Sequence, residues 1–256
     1  MRISKIILYD EPTVPEIKLS RLKKSLSGLV PIKIETRKNL FSDLDDEMYE
    51  KITSTKIFDI KKPFQKQSVF PNNTLIEKEN TDGFQKEEIP LYDGIEFQKI
   101  ISEVIPENEN RIDILNIVFT NKLTCTFDES DFRYHGRSLI ASNPAIISTT
   151  GMIEAPAKPK EYYLELITDC SEEKVNEINK KYRGQFLEYH DSRLSEVAEG
   201  HILQAIMYYE TGDEFCNNIG CRCFNAHWQK DLFHSQIDNK KFCNNHQEIL
   251  NQFKQK

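Results

Sequence analysis

The sequence predicts a layered α/β domain of the α+β kind, on three observations. A strand-like run, an amphipathic run and a second strand-like run follow one another between Ile3 and Glu35. The middle of the chain carries short apolar runs separated by turn residues, and the last third carries apolar residues at helical spacing. The chain has 256 residues, enough for one large domain or two small ones. Its 38% hydrophobic and 29% charged residues are those of an ordinary globular protein.

Ile3–Tyr9 reads as a strand, followed by a turn at Asp10-Glu11-Pro12 with a second proline at Pro15. Ile17, Leu19, Leu22, Leu26 and Leu29 mark one face of a helix, and Ile32–Glu35 a second strand. Asp43–Ile52 reads as a helix. Residues 61–90 are polar and contain several prolines and asparagines, the composition of an irregular connection. Glu96–Val104 reads as a helix; Ile112–Thr120, Leu123–Phe127, Ser138–Ala141 and Ala145–Ser148 read as strands. Asp131–Arg137 reads as a solvated loop whose Arg133, His135 and Arg137 are also suited to an anion. Ile153–Lys160 is a proline-containing connection, and Tyr162–Ile167 a further strand. Ser171 is placed to cap a helix with Glu172 and Glu173 in its first turn, and Val175, Ile178, Tyr182, Phe186 and Tyr189 repeat at helical spacing. A last helix runs from about Ser192 to Glu210 with His201 on its apolar face, and Gly212 ends it. This divides the chain into an α/β domain, 1–211, and a C-terminal segment, 212–256, packed on it.

Composition narrows the function. No apolar run approaches the roughly 18 residues of a membrane span, and Met1–Tyr9 lacks the longer apolar core of a signal peptide. The expected location is the cytoplasm, with no membrane partner. A net charge of -7 disfavours nucleic acid as a partner. There is no Gly-rich phosphate loop and no nucleophile elbow.

The cysteines carry the strongest signal. Cys125 and Cys170 stand alone, whereas Cys216, Cys221, Cys223 and Cys243 crowd the C-terminus beside His227, His234 and His246. In a reducing compartment such a cluster binds metal more often than it forms disulfides. The pattern C-x4-C-x-C-x19-C-x2-H supplies two ligand pairs from separate segments, Cys216 with Cys221 and Cys243 with His246, which meets the tetrahedral demand of zinc. Cys223 and His227 are spare candidates, and His234 reads as a surface residue. The tail has few large apolar residues, so one structural zinc ion, able to contribute on the order of 10 kcal/mol, would supply its order.

These residues resemble the archaemetzincins, zinc metallopeptidases that carry H-E-x-x-H-x-x-G-x-x-H-C-x4-C-x-M, a spacer and C-x2-C. The resemblance implies a metzincin-like mixed sheet with helices and a C-terminal zinc-bound segment. It also implies a structural zinc on Cys216, Cys221, Cys243 and His246, the last in place of a cysteine. Anchoring on Cys216 puts Gly212 on the family glycine, Ala205, Tyr209 and Phe215 on the three catalytic histidines, and Ile206 on the general base. On that register Ala205, Tyr209 and Phe215 should meet around a partly filled cleft, with His201 hydrogen-bonded nearby. The implied protein keeps the structural zinc, has no catalytic residues of the metzincin kind, and binds or scaffolds an unidentified protein or peptide partner. The competing reading is an active metallopeptidase or other hydrolase with a rearranged metal site.

Overall fold

The computed structural model describes residues 2–63, 89–169, 171–213 and 215–254. Most of the irregular connection expected at 61–90, and Cys170, lie outside the described residues.

Strand β1 (Lys5–Tyr9), helix α1 (Leu19–Leu29) and strand β2 (Lys33–Arg37) form the opening β–α–β unit, and the two strands pair in parallel. A one-turn helix at Leu40–Asp43 leads to α2 (Asp46–Ser54), whose N-terminus is capped by the Asp45 carboxylate accepting from the Met48 amide. After the short strands β3 (Lys56–Ile57) and β4 (Leu91–Asp93) comes α3 (Gly94–Val104). Then follow β5 (Ile114–Thr120), β6 (Leu123–Asp128), β7 (Arg133–Arg137), β8 (Leu139–Ile140) and β9 (Ala145–Ser148). One sheet has the order β2-β1-β5-β9-β8, parallel except for β8, and the other the order β3-β4-β6-β7.

The two faces of the first sheet are read directly from alternation along its central strands. Leu115, Ile117 and Phe119 of β5 join Ile6 and Leu8 of β1 in the larger core, while Ile114 and Val118 join Ile7 and Tyr9 in a second core under α3. Burial on both faces is why IVF reads as a continuous apolar run.

The chain continues through α4 (Thr149–Glu154), α5 (Lys160–Thr168), α6 (Glu172–Lys181) and α7 (Leu194–Thr211). It ends with α8 (Gln229–Phe233), a wide helical turn at His234–Asn239 and α9 (Asn244–Lys254). Helix α7 is buried nearly all round from Leu194 to Met207 and lies across the larger core. Gly212 closes it at φ 85°, the left-handed conformation glycine adopts freely. Gly200 is there for a different reason. A Cβ on it would stand 1.5 Å from Oε1 of the buried Gln236, so the absence of a side chain lets the 234–239 turn close against α7. Leu232, Leu250 and Phe253 of the C-terminal segment share the larger core with the sheet.

Two expectations are corrected. Tyr162–Ile167 is helical, within α5, not a strand. Its aromatic and branched residues suit a strand, but Tyr162 and Leu166, one helical turn apart, face a small core with Ile178, Tyr182 and Phe186, while Ile167 is exposed. Arg133–Arg137 is a strand, not a loop: it pairs antiparallel with β6 in a register that sets Cys125 opposite Gly136. The helix begun at Glu172 stops at Lys181, although Tyr182 and Phe186 still reach the small core. Among the described residues, no helix is long and apolar enough to cross a membrane.

Candidate metal centre and adjoining cleft

Cys216 and Cys221 sit on a compact turn. The Cys216 amide donates to the Cys223 carbonyl at 2.8 Å, the Asn225 amide to the Cys216 carbonyl at 3.1 Å and the Cys221 amide to the Asn218 carbonyl at 2.9 Å. Two further amides point at sulfur: Asn218 N–H donates to Cys216 Sγ at 3.4 Å, and Cys223 N–H to Cys221 Sγ at 3.5 Å. Such donors stabilise the thiolate form that binds metal. The Arg222 amide donates to the Lys241 carbonyl at 2.6 Å, and the Asn239 side chain to the Gly220 carbonyl, which fastens this turn to the chain leading to α9. Cys243 and His246 then enter from the start of α9.

The four ligand atoms lie within 4.8 Å of one another. Cys216 Sγ and Cys243 Sγ are 3.9 Å apart, Cys221 Sγ and His246 Nδ1 3.6 Å, and Cys243 Sγ and His246 Nδ1 3.1 Å. A tetrahedral zinc with bonds of about 2.0–2.3 Å has edges of about 3.5–3.8 Å, so three thiolates and an imidazole are placed to hold such an ion with little adjustment. Cys221 is held down to about 4, first by a hydrogen bond with the Cys223 thiol. Burial raises Cys216 to about 11, which a cation overrides because a coordinating thiol is deprotonated outright. Cys223 is buried in the larger core and is not part of the quartet; His234 is exposed.

Beside this centre is a cleft of about 520 Å³. One wall is formed by residues 136–141; the other is the α7 face carrying His201 and Gln204, with Phe215 and the 224–227 stretch also lining it. Phe215 is the only one of the three register-predicted residues that lines it. Ala205 is buried in the larger core, and the Tyr209 hydroxyl donates to the Ile112 carbonyl at 2.9 Å. The expectation that Ala205, Tyr209 and Phe215 surround the cleft is therefore corrected. The gapless count through the turn at Gly212 selects a helical row that faces the core, whereas the cleft row is His201 and Gln204, three residues apart on one face.

His201 is buried, as its place on the apolar face predicts, and its Nδ1 is 2.6 Å from Gln204 Oε1. Burial lowers its pKa to about 4. Glu199 and Glu196 point elsewhere, to Arg222 at 2.8 Å and Lys240 at 2.5 Å. His227 lines the cleft, and its carbonyl accepts from Ala157 at 2.8 Å. Asp128, Asp131 and His135 form a second group whose ligand atoms lie within 4.8 Å of one another, and Asp128 and His135 stand at the cleft wall. His135 and Arg133 both contact Asp131, at 2.9 and 2.7 Å, so two of the three basic residues expected to suit an anion are turned to a neighbouring carboxylate, while Arg137 Nε donates to Thr126 Oγ1 at 2.7 Å. The cleft groups Asp128 and Gln204 escape sequence reasoning because they come from separate segments, and His135 is singled out there only as suited to an anion; the one available signal for Gln204 is its place three residues after His201.

Fold and site together define an α/β protein with a Cys3His quartet placed to hold a metal ion and a ligand-sized cleft beside it. A family model matches residues 2–253, and the chain belongs to that family, described as "Probable metallopeptidase family (DUF6775)". Among solved structures it is similar to a zinc-dependent peptidase from Methanocorpusculum labreanum (strain Z). The two are 13% identical, the match covers 96% of this chain and 99% of that one, and the TM-score is 0.46. No curated protein matches the chain. The metallopeptidase resemblance of the C-terminal residues is thus borne out at the level of the family.

Proposed function

We propose that this chain is a non-catalytic member of its family. It holds one structural zinc on Cys216, Cys221, Cys243 and His246, and its cleft binds a protein or peptide partner in the cytoplasm. The observation that carries this reading is the cleft-facing row of α7. It offers His201 and Gln204, while Val197, Ala198 and Ala205, one turn from His201, are buried in the larger core, so the helix brings to the cleft neither a second histidine nor a carboxylate to hold and activate a metal-bound water. The quartet cannot substitute, because four protein ligands leave no open position for substrate. Three thiolates also suit a reducing compartment.

A second reading, an active hydrolase with a rearranged metal site, is favoured by Asp128, Asp131 and His135, a three-ligand group of which Asp128 and His135 line the cleft. A peptide-library cleavage assay with added zinc separates the two. The proposal expects no cleavage sensitive to chelator. Chelator-sensitive cleavage that is lost in His135→Ala, purified in parallel, would establish the second reading instead.

A further inference from the structure

We propose that the cleft selects ligands carrying an amide N–H or a hydroxyl, and that this donor is received by Nε2 of His201. The inference rests on reading the cleft as a binding site, and names the chemistry that site recognises.

The proton positions follow from a chain of contacts. Gln204 Nε2 donates to the Phe224 carbonyl at 3.1 Å. Turning that amide over would set two oxygens against each other, so Oε1 faces the His201 ring. Nδ1, 2.6 Å from Oε1, must then carry a proton. Burial keeps the ring neutral over the physiological range. A neutral ring with its proton on Nδ1 has a lone pair on Nε2. That atom is buried and has no hydrogen-bond partner, in a residue that is 4% exposed and lines the cleft. Leaving an acceptor unpaired costs about 1–3 kcal/mol, which an incoming donor recovers.

The same geometry excludes other ligands. An ionised carboxylate brings only lone pairs to Nε2, and the Asp128 carboxylate on the cleft wall adds to the repulsion. A metal ion would need further ligands beside Nε2, and among the described residues His201 belongs to neither ligand group. An ordered water is the competing occupant.

The test uses the full-length, zinc-loaded protein labelled with 15N, reading the ring nitrogens of His201 by NMR. Nε2 should resonate as an unprotonated nitrogen and Nδ1 as a protonated one. Acetamide should shift Nε2 saturably, and sodium acetate should not. The peptides Ala-Asn-Ala and Ala-Asp-Ala distinguish the sources of the donor. Binding of Ala-Asn-Ala about tenfold or more tighter than acetamide identifies a peptide side chain, and comparable affinity a free small molecule. His201→Phe should abolish the acetamide response while keeping the zinc. If that variant fails to fold, the wild-type nitrogen signals still decide. A protonated Nε2, an Nε2 unmoved by both acetamide and Ala-Asn-Ala, or an equal response to acetate would overturn the inference. Peptide cleavage in the same samples would overturn the non-catalytic reading instead, so the two failures are distinguishable.

Discussion

The metal centre and the cleft lie side by side, yet they are built in opposite ways. The quartet is assembled from two tight local pieces, a cysteine turn and the start of α9, whose ligand atoms already stand at tetrahedral distances. The cleft is assembled from residues 136–141, one face of α7 and the 224–227 stretch, and its polar groups come from separate segments: Asp128 and His135 belong to a second ligand group, His201 and Gln204 to none. A site whose ligands come in close pairs survives as a unit, because each pair is fixed by its own turn. A site gathered along a helix face depends on which row of that helix points outward. Here the outward row carries an imidazole and an amide.

The sharpest way to break this comparison is to remove a ligand. Cys243→Ser should destabilise the C-terminal segment by several kcal/mol, since structural zinc supplies on the order of 10 kcal/mol to small metal-ordered segments. Cys125→Ser, at a buried thiol outside both sites, should cost about 1–2 kcal/mol. Thermal unfolding with and without chelator checks both: chelator should erase most of the difference between wild type and Cys243→Ser and leave that for Cys125→Ser unchanged.

The seam between α7 and the segment comes next. Gly200→Ala should cost about 1–3 kcal/mol, because its Cβ would displace Gln236, whose Nε2 donates to the Arg222 carbonyl at 2.6 Å. Denaturant melts of this variant measure the cost, and a neutral result would mean that Gln236 moves aside freely.

A pH series tests the cleft side. His201 has a folded pKa of about 4, below its unfolded value of about 6.5. Its neutral form is therefore the one folding prefers, so stability is fully present above the unfolded value and lost as pH falls toward 4. Between pH 7 and 5 the loss is about 2 kcal/mol from linkage. Urea melts should show a shallower fall over that window for His201→Phe than for wild type; equal slopes would mean the imidazole is not held neutral. The smallest effect is expected for Lys240→Ala, which removes a partly exposed ion pair with Glu196 and should change stability by under about 1 kcal/mol.

Much of this was legible in the sequence, for physical reasons that also explain the failures. Strands β1, β5 and β9 announce themselves because burial on both sheet faces makes their runs mostly apolar, the buried exceptions Asn116 and Ser148 being hydrogen-bonded. The quartet announces itself because its spacing is set by turns of a few residues. Helix α5 does not, since only its packing on Ile178 and Tyr182 tells Tyr162 and Leu166 apart from a strand's alternation. Strand β7 does not either, because Arg133, His135 and Arg137 are unusual strand residues held by pairing with β6. The cleft row was misjudged by a residue: the count from Cys216 selects Ala205, while packing on the sheet turns His201 and Gln204 outward.

The most direct test of the central claim is elemental analysis of metal per chain, in wild type and Cys243→Ser purified without chelator. One zinc equivalent in wild type, falling to near none in Cys243→Ser, is the predicted result. Two equivalents in wild type, less than half an equivalent, or a full equivalent retained by Cys243→Ser would contradict it.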